Sequence, residues 1–133
     1  MFCTCTSMGL LGINAYKVAV EVDLSESFPG FDIVGLPDVA VKESRDRVRT
    51  AIINSGFDFP VSRIVVNLVP AYLHKKGSHY DLAIAVGILL SSGAVRGRQA
   101  RELISSSGFL GELCLDGSIS PVKAHSADGR SGS

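Results

Sequence analysis

Two groups of side chains in this sequence have types and spacings that could do chemistry. The first lies between positions 74 and 81, where His74, Lys75, Lys76, Ser78, His79, Tyr80 and Asp81 crowd two imidazoles, two ammonium groups, a hydroxyl, a phenol and a carboxylate into one loop. The second runs from Lys42 to Arg49, with Lys42, Arg45 and Arg49 recurring at helical spacing. Cations clustered in this way can hold the phosphates of a nucleic acid, and the expected contact residues are Lys42, Arg49, His74, Lys75, Lys76 and His79. A second reading stays open, in which Lys42 pairs with Asp46 at i,i+4 and the loop cations only keep the surface soluble.

Catalysis is not expected from either group. The spacing of the loop implies no Ser-His-Asp or Cys-His arrangement, and Asp81 reads more simply as the N-cap of a following helix. A zinc site can be drawn from Cys3, Cys5, His74 and His79, but none of the usual ligand spacings is present. Cys3 and Cys5 are therefore read as small buried residues on one face of a strand, and no metal ligand is expected.

Composition narrows the partners. The 133 residues carry 13 basic and 13 acidic side chains, so the formal net charge is zero and any attraction to a polyanion must be local. A hydrophobic content of 46% excludes disorder, and the length suits one domain. The longest apolar run, Leu82 to Leu90, is far shorter than the ~20 residues of a membrane helix. With no secretory signal pattern and an odd cysteine count, a cytoplasmic protein without a disulfide framework is expected.

These side chains need elements to position them. Phe2 to Leu10 and Ala15 to Leu24 read as antiparallel strands around Gly12-Ile13-Asn14, with Tyr16, Val18, Val20, Val22 and Leu24 alternating onto one face. Pro29-Gly30 marks a turn, Phe31 to Val34 a short strand, and Gly35-Leu36-Pro37 a break. Asp38 is expected to cap a helix over 39–55, closed by Gly56 in a left-handed conformation. On the helical wheel Val41, Ser44, Val48, Ala51, Ile52 and Ser55 share one face, while Glu43, Asp46, Arg47, Thr50 and Asn54 spread over the opposite side. Arg45, at the edge of the apolar stripe, is expected to snorkel or to pair with Asp32, Asp38 or Asp81.

Arg63 to Val69 reads as an interior strand, 82–92 as a buried helix in which Gly87 permits close packing, and 98–105 as an amphipathic helix. A hairpin of Phe109 to Leu115 and Ser118 to Val122 is expected around Asp116-Gly117. The structural positions are therefore Gly30, Gly35, Pro37, Asp38, Arg45, Asp81 and Gly117. The sum is an α+β, two-layer domain with helices on one face of a mixed sheet, occupying 1–123. The polar, Gly- and Ser-rich stretch 124–133 is expected to be a disordered or non-native end.

Six ordered blocks carry a resemblance: LLGINAYKVAVEVD, FPGFDIVGLPDVAVKESRDRVR, AIINSGFDFP, RIVVNLVPA, DLAIAVGIL and FLGELCLDGSISPV. Together, from Leu10 to Lys123, they resemble the N-terminal domain of the ComM/YifB family, the bacterial magnesium-chelatase-related (ChlI-related) AAA+ ATPases. The resemblance implies a ribosomal protein S5 domain 2-like fold, the fold also of the Lon protease domain. It implies a parent that is a hexameric motor driving DNA branch migration in transformation and recombination, with ATP and Mg bound in the AAA+ domain. The implied partners are that AAA+ domain, single-stranded or branched DNA, and further copies of the protein, without a membrane.

Three expectations for this chain follow. It contains no GxxxxGK[ST] loop, so no cofactor is expected in it and no ATPase activity of its own. Its role would be DNA contact or ring assembly, with a pure protein-interaction module as the alternative. A Lon-like Ser-Lys peptidase is a further alternative, yet Ser78 and Lys123 each miss the place the Lon pattern requires. The loop at 74–79 also departs from the family pattern toward basic, lacking an acidic residue near Lys76 and a proline near Ser78.

Overall fold

The computed structural model describes residues 1–120 together with 124–125 and 131–132. In chain order the elements are β1 (Phe2–Leu11), β2 (Asn14–Ser25), β3 (Gly30–Val34), α1 (Val39–Lys42), α2 (Ser44–Asn54), β4 (Arg63–Val69), α3 (Asp81–Ser91), α4 (Arg98–Ser105), β5 (Glu112–Leu113), β6 (Ile119–Ser120), β7 (Ala124–His125) and β8 (Ser131–Gly132). A four-stranded sheet in the order β1-β2-β4-β3 forms one layer, antiparallel except for the β3–β4 pair. The helices cover one face of it, so the chain is an α+β two-layer domain. No helix among the described residues is long and apolar enough to cross a membrane. The peptidase candidate Lys123 and most of the expected tail lie outside the described residues.

Alternation drives the sheet. Val18, Val20, Val22 and Leu24 on β2, with Ile64, Val66 and Leu68 on β4, all point to the helix side and are buried. Each such side chain taken from water contributes about 1.5–3 kcal/mol. Cys3 and Cys5 lie on the same face and are buried with them. The opposite face of β4, with Val65, Asn67 and Val69, stays half-exposed because no layer covers it.

Helix α3 is apolar on nearly every side because it sits between the sheet and α2. Gly87 sets that distance, since a Cβ there would come within 2.5 Å of Val22 Cγ2. At the same point the Cys3 thiol donates to the Gly87 carbonyl at 3.1 Å and accepts from Ser91 Oγ at 3.0 Å.

Local signals set the helix ends. Asp38 caps α1 by accepting from the Val41 amide at 2.8 Å. Gly56, at φ 92°, terminates α2, with the Phe57 amide returning to Ile52 O at 3.2 Å. The expected single helix over 39–55 is interrupted at Glu43, which ends α1 and precedes α2. The first strand of the C-terminal hairpin is shorter than expected, and residues 121–122 of the expected second strand lie outside the described residues. The Asp116-Gly117 turn is present, with Asp116 Oδ1 accepting from the Ser118 amide at 2.9 Å and the Cys114 amide donating to Ser118 O at 2.8 Å, and among the described residues the strands pair at Glu112–Ser120 and Leu113–Ile119. Residues 109–111 are drawn elsewhere: the Phe109 amide donates to Thr6 O on β1, and Gly111 O accepts from the Leu82 amide of α3.

Candidate nucleic-acid interface

The structure divides the expected cations into two sets. Lys42, Arg45 and Arg49 are exposed and follow one another at i, i+3 and i+7 along the outer flank of α1 and α2. Among the described residues none of the three lies within 4 Å of a carboxylate. The expected Lys42–Asp46 pair is not made, whereas Glu43 and Arg47 do meet, at 3.5 Å. Arg49 lies over the ring of Phe59, its guanidinium carbon 5.8 Å from the centroid.

Only His74 and Lys76 of the basic loop face solvent. Lys75 is a correction: it is fully buried and unavailable to phosphate. Its ammonium donates to Gly35 O at 2.8 Å and to Pro70 O, while its backbone bonds Leu36 O and the Asp38 amide on either side of Pro37. Gly35 and Leu36 are both left-handed, at φ 99° and 56°, so Lys75 pins a turn whose carbonyls would otherwise be stranded. Burial lowers its pKa, since the charged form gives up water for two carbonyl dipoles. Lys75→Ala is expected to cost about 1–3 kcal/mol in urea unfolding and to leave nucleic-acid affinity unchanged.

His79 is also turned inward. Its Nε2 donates to Met8 O at 2.7 Å and its ring packs on Tyr80 at 4.1 Å between centroids. Desolvation lowers its pKa, so it is neutral at neutral pH and cannot supply a positive charge. A base whose pKa is lower folded than unfolded contributes stability above its unfolded value of about 6.5, which is lost as pH falls through the folded value. Acidification below about pH 6.5 should therefore destabilise the domain, and His79→Gln should flatten that part of the pH profile while retaining an N–H for Met8.

Two further expectations are corrected. Asp81 does not cap α3: Tyr80 precedes the helix without a side-chain bond, and Asp81, its first residue, is fully buried. Its carboxylate accepts from Arg47 Nε at 2.6 Å and Nη2 at 3.2 Å, from the Leu113 amide at 3.0 Å, and from Ser44 Oγ. The arginine paired with Asp81 is thus Arg47, not Arg45, which instead bonds Lys42 O at 3.2 Å and stays in solvent. Arg47 also donates to Ala40 O at 3.0 Å, and the Asp81 carboxylate raises its pKa. This network fastens α1, α2, α3 and β5 together.

Gly35 and Gly117 sit at positive φ, where the backbone favours glycine. Gly30 meets Arg63, which forms a 2.6 Å ion pair with Asp32. Pro37 bridges to Lys75. Gly117, at φ 93°, brings the hairpin turn against Ser55 and Ala51 at the end of α2. Among the described residues no group of three or more His, Cys, Asp or Glu side chains is placed to hold a metal ion. Sequence reasoning missed the aromatic cluster at the end of the cationic flank, where Phe31 and Phe59 stack at 5.9 Å. The density of phenylalanine around the Pro29 and Pro60 turns was its only sequence signal.

Residues 20–127 match the family described as subunit ChlI of Mg-chelatase. The Escherichia coli K12 protein YifB is 46% identical over 112 residues, covering 84% of this chain and 21% of the relative. Competence protein ComM of Haemophilus influenzae is 43% identical over 116 residues, covering 87% of this chain and 22% of the relative. A Mycobacterium tuberculosis H37Rv protein is 40% identical over 117 residues, covering 88% and 22% respectively. The chain therefore spans about a fifth of the length of the curated relatives it matches.

Proposed function

This chain belongs to the magnesium-chelatase-related ComM/YifB family, and on that premise we propose that it is the non-catalytic N-terminal domain of a larger AAA+ ATPase and that it contacts DNA. The observation that carries this reading is the flank of Lys42, Arg45 and Arg49, exposed and without a carboxylate within 4 Å among the described residues. In a chain of zero net charge, three such cations in line form a local site for consecutive phosphates. His74 and Lys76 extend the positive surface beside the start of α1, because the Lys75 backbone pairs across Pro37.

In this reading the remaining four-fifths of the parent hold the ATP- and Mg-dependent motor, which drives branch migration of DNA as a cytoplasmic hexameric ring. The domain itself hydrolyses no ATP. Assembly within the ring is the second reading, favoured by the β1–β2 hairpin. β2 pairs with β4 only from Ala19 onward, so the tip extends past the sheet and exposes Leu10, Leu11 and Ile13.

Fluorescence anisotropy with single-stranded, duplex and four-way-junction DNA separates these readings when run beside sedimentation of the chain alone. Binding that is lost in a Lys42→Ala/Arg45→Ala/Arg49→Ala variant supports DNA contact. Absence of binding at tens of micromolar, with oligomers that a Leu11→Ser/Ile13→Ser variant dissolves, moves the function to assembly.

A further inference from the structure

The cationic flank of α2 ends at a cleft of about 670 Å³ between β3, α2 and the segment 57–62. Phe31, Phe57, Phe59 and Val61 line it, Arg49 stands over Phe59 at its wall, and Asp58 is the one carboxylate in its lining. Phe31 and Phe59 stack with an interplanar angle of 28°, and Phe57 is 39% exposed. Phe28, immediately before the rim residue Pro29, is 91% exposed. Rings left this open to water sacrifice burial that the core could have used, which points to a partner that covers them.

Three features fix the chemistry of that partner. Aromatic faces beside a guanidinium favour a flat conjugated group, which can stack on either. Arg49 belongs both to the cleft and to the line from Lys42, which spans about 10 Å of helix, so the flat group must be joined to a chain of negative charges. Asp58 can accept from an exocyclic amino group. We propose that this cleft receives an unstacked base of a single-stranded nucleic acid whose phosphates run along Lys42, Arg45 and Arg49. The inference rests on the DNA-contact reading and narrows it to single strands, because a duplex keeps its base faces stacked and out of reach.

The test compares a single-stranded oligonucleotide carrying one 2-aminopurine, the same strand made abasic over four consecutive positions, and a duplex of equal length. Stacking in the cleft predicts quenching or enhancement of 2-aminopurine emission on binding and an affinity for the abasic strand lower by about 5- to 100-fold. Phe57→Ala should reproduce that loss on the normal strand and leave duplex binding unchanged. Val61→Ser, in the lining of the cleft and 84% exposed, supplies the check should Phe57→Ala fail to fold, and should reproduce part of that loss on the normal strand. Equal affinity for normal and abasic strands overturns the base site while leaving phosphate contact standing. No binding of any strand removes both. Self-association that Phe57→Ala abolishes, without any base-dependent binding, assigns the cleft to a second copy and overturns the proposal.

Discussion

Asp81→Ala is expected to lower the unfolding free energy by about 3–5 kcal/mol, enough to consume much of the stability of a domain this size. The carboxylate is fully buried and its four bonds come from two separate parts of the chain: Ser44 and Arg47 at the start of α2, and the Leu113 amide in the C-terminal hairpin. Removing it leaves the Arg47 guanidinium, four-fifths buried, with only the exposed Glu43 carboxylate at 3.5 Å as a counter-charge, and strands a buried amide. Asp81→Asn keeps acceptor atoms but loses the charge, so its loss should be smaller. The double variant with Arg47→Met should recover part of the deficit, because the cost lies in the unpaired partner more than in the absent bond. Urea midpoints of the four proteins measure this. A loss below 1 kcal/mol for Asp81→Ala would show that the network does not hold the helices to the hairpin.

Gly35→Ala should be nearly as damaging, at roughly 3 kcal/mol or more, through two effects that add. At φ 99° an L-residue is strained before any contact is considered. Its Cβ would also land on the backbone of Leu68 in β4, and backbone cannot swing aside as the end of a side chain can. The turn cannot relax outward either, since Lys75 holds the Gly35 and Leu36 carbonyls from the other side. The expected signature is a lowered thermal midpoint together with loss of hydrogen-exchange protection around 34–38 and 75. Gly56→Ala serves as the comparison. It shares the left-handed strain, at φ 92°, but its Cβ would meet open space, so its cost should stay near 1 kcal/mol.

What could be read from the sequence was local. The alternation of β2, the Asp38 cap, the left-handed Gly56, the close approach at Gly87 and the span of α4 all depend on a few neighbouring residues, and the structure bears each out. The errors concern side chains whose partners are remote. Arg47 reads from the sequence as outward-facing because its carboxylate lies 34 residues away, and nothing near it announces a buried pair. Lys75 sits between His74 and Lys76, a pattern that reads as solvated, yet the carbonyl of Gly35 that draws it inward is 40 residues distant. Asp81 begins a helix and so resembles a cap. It faces inward because Ser44, Arg47 and Leu113 all converge on it, a geometry that only tertiary packing creates. Of the expected phosphate contacts, Lys42, Arg49, His74 and Lys76 remain at the surface, while Lys75 and His79 are committed to the interior.

The flank of α1 and α2 that carries Lys42, Arg45 and Arg49 is proposed to bind nucleic-acid phosphates. The most direct test is the salt dependence of single-stranded DNA affinity, measured for the parent chain and for the Lys42→Ala/Arg45→Ala/Arg49→Ala variant. Each phosphate contact contributes about −0.7 to the slope of log K against log salt for a single strand. Loss of three cations should therefore flatten the slope by about 2 and weaken binding at low salt most. A variant with the parent's slope and affinity would contradict the claim and place any DNA contact elsewhere on the protein.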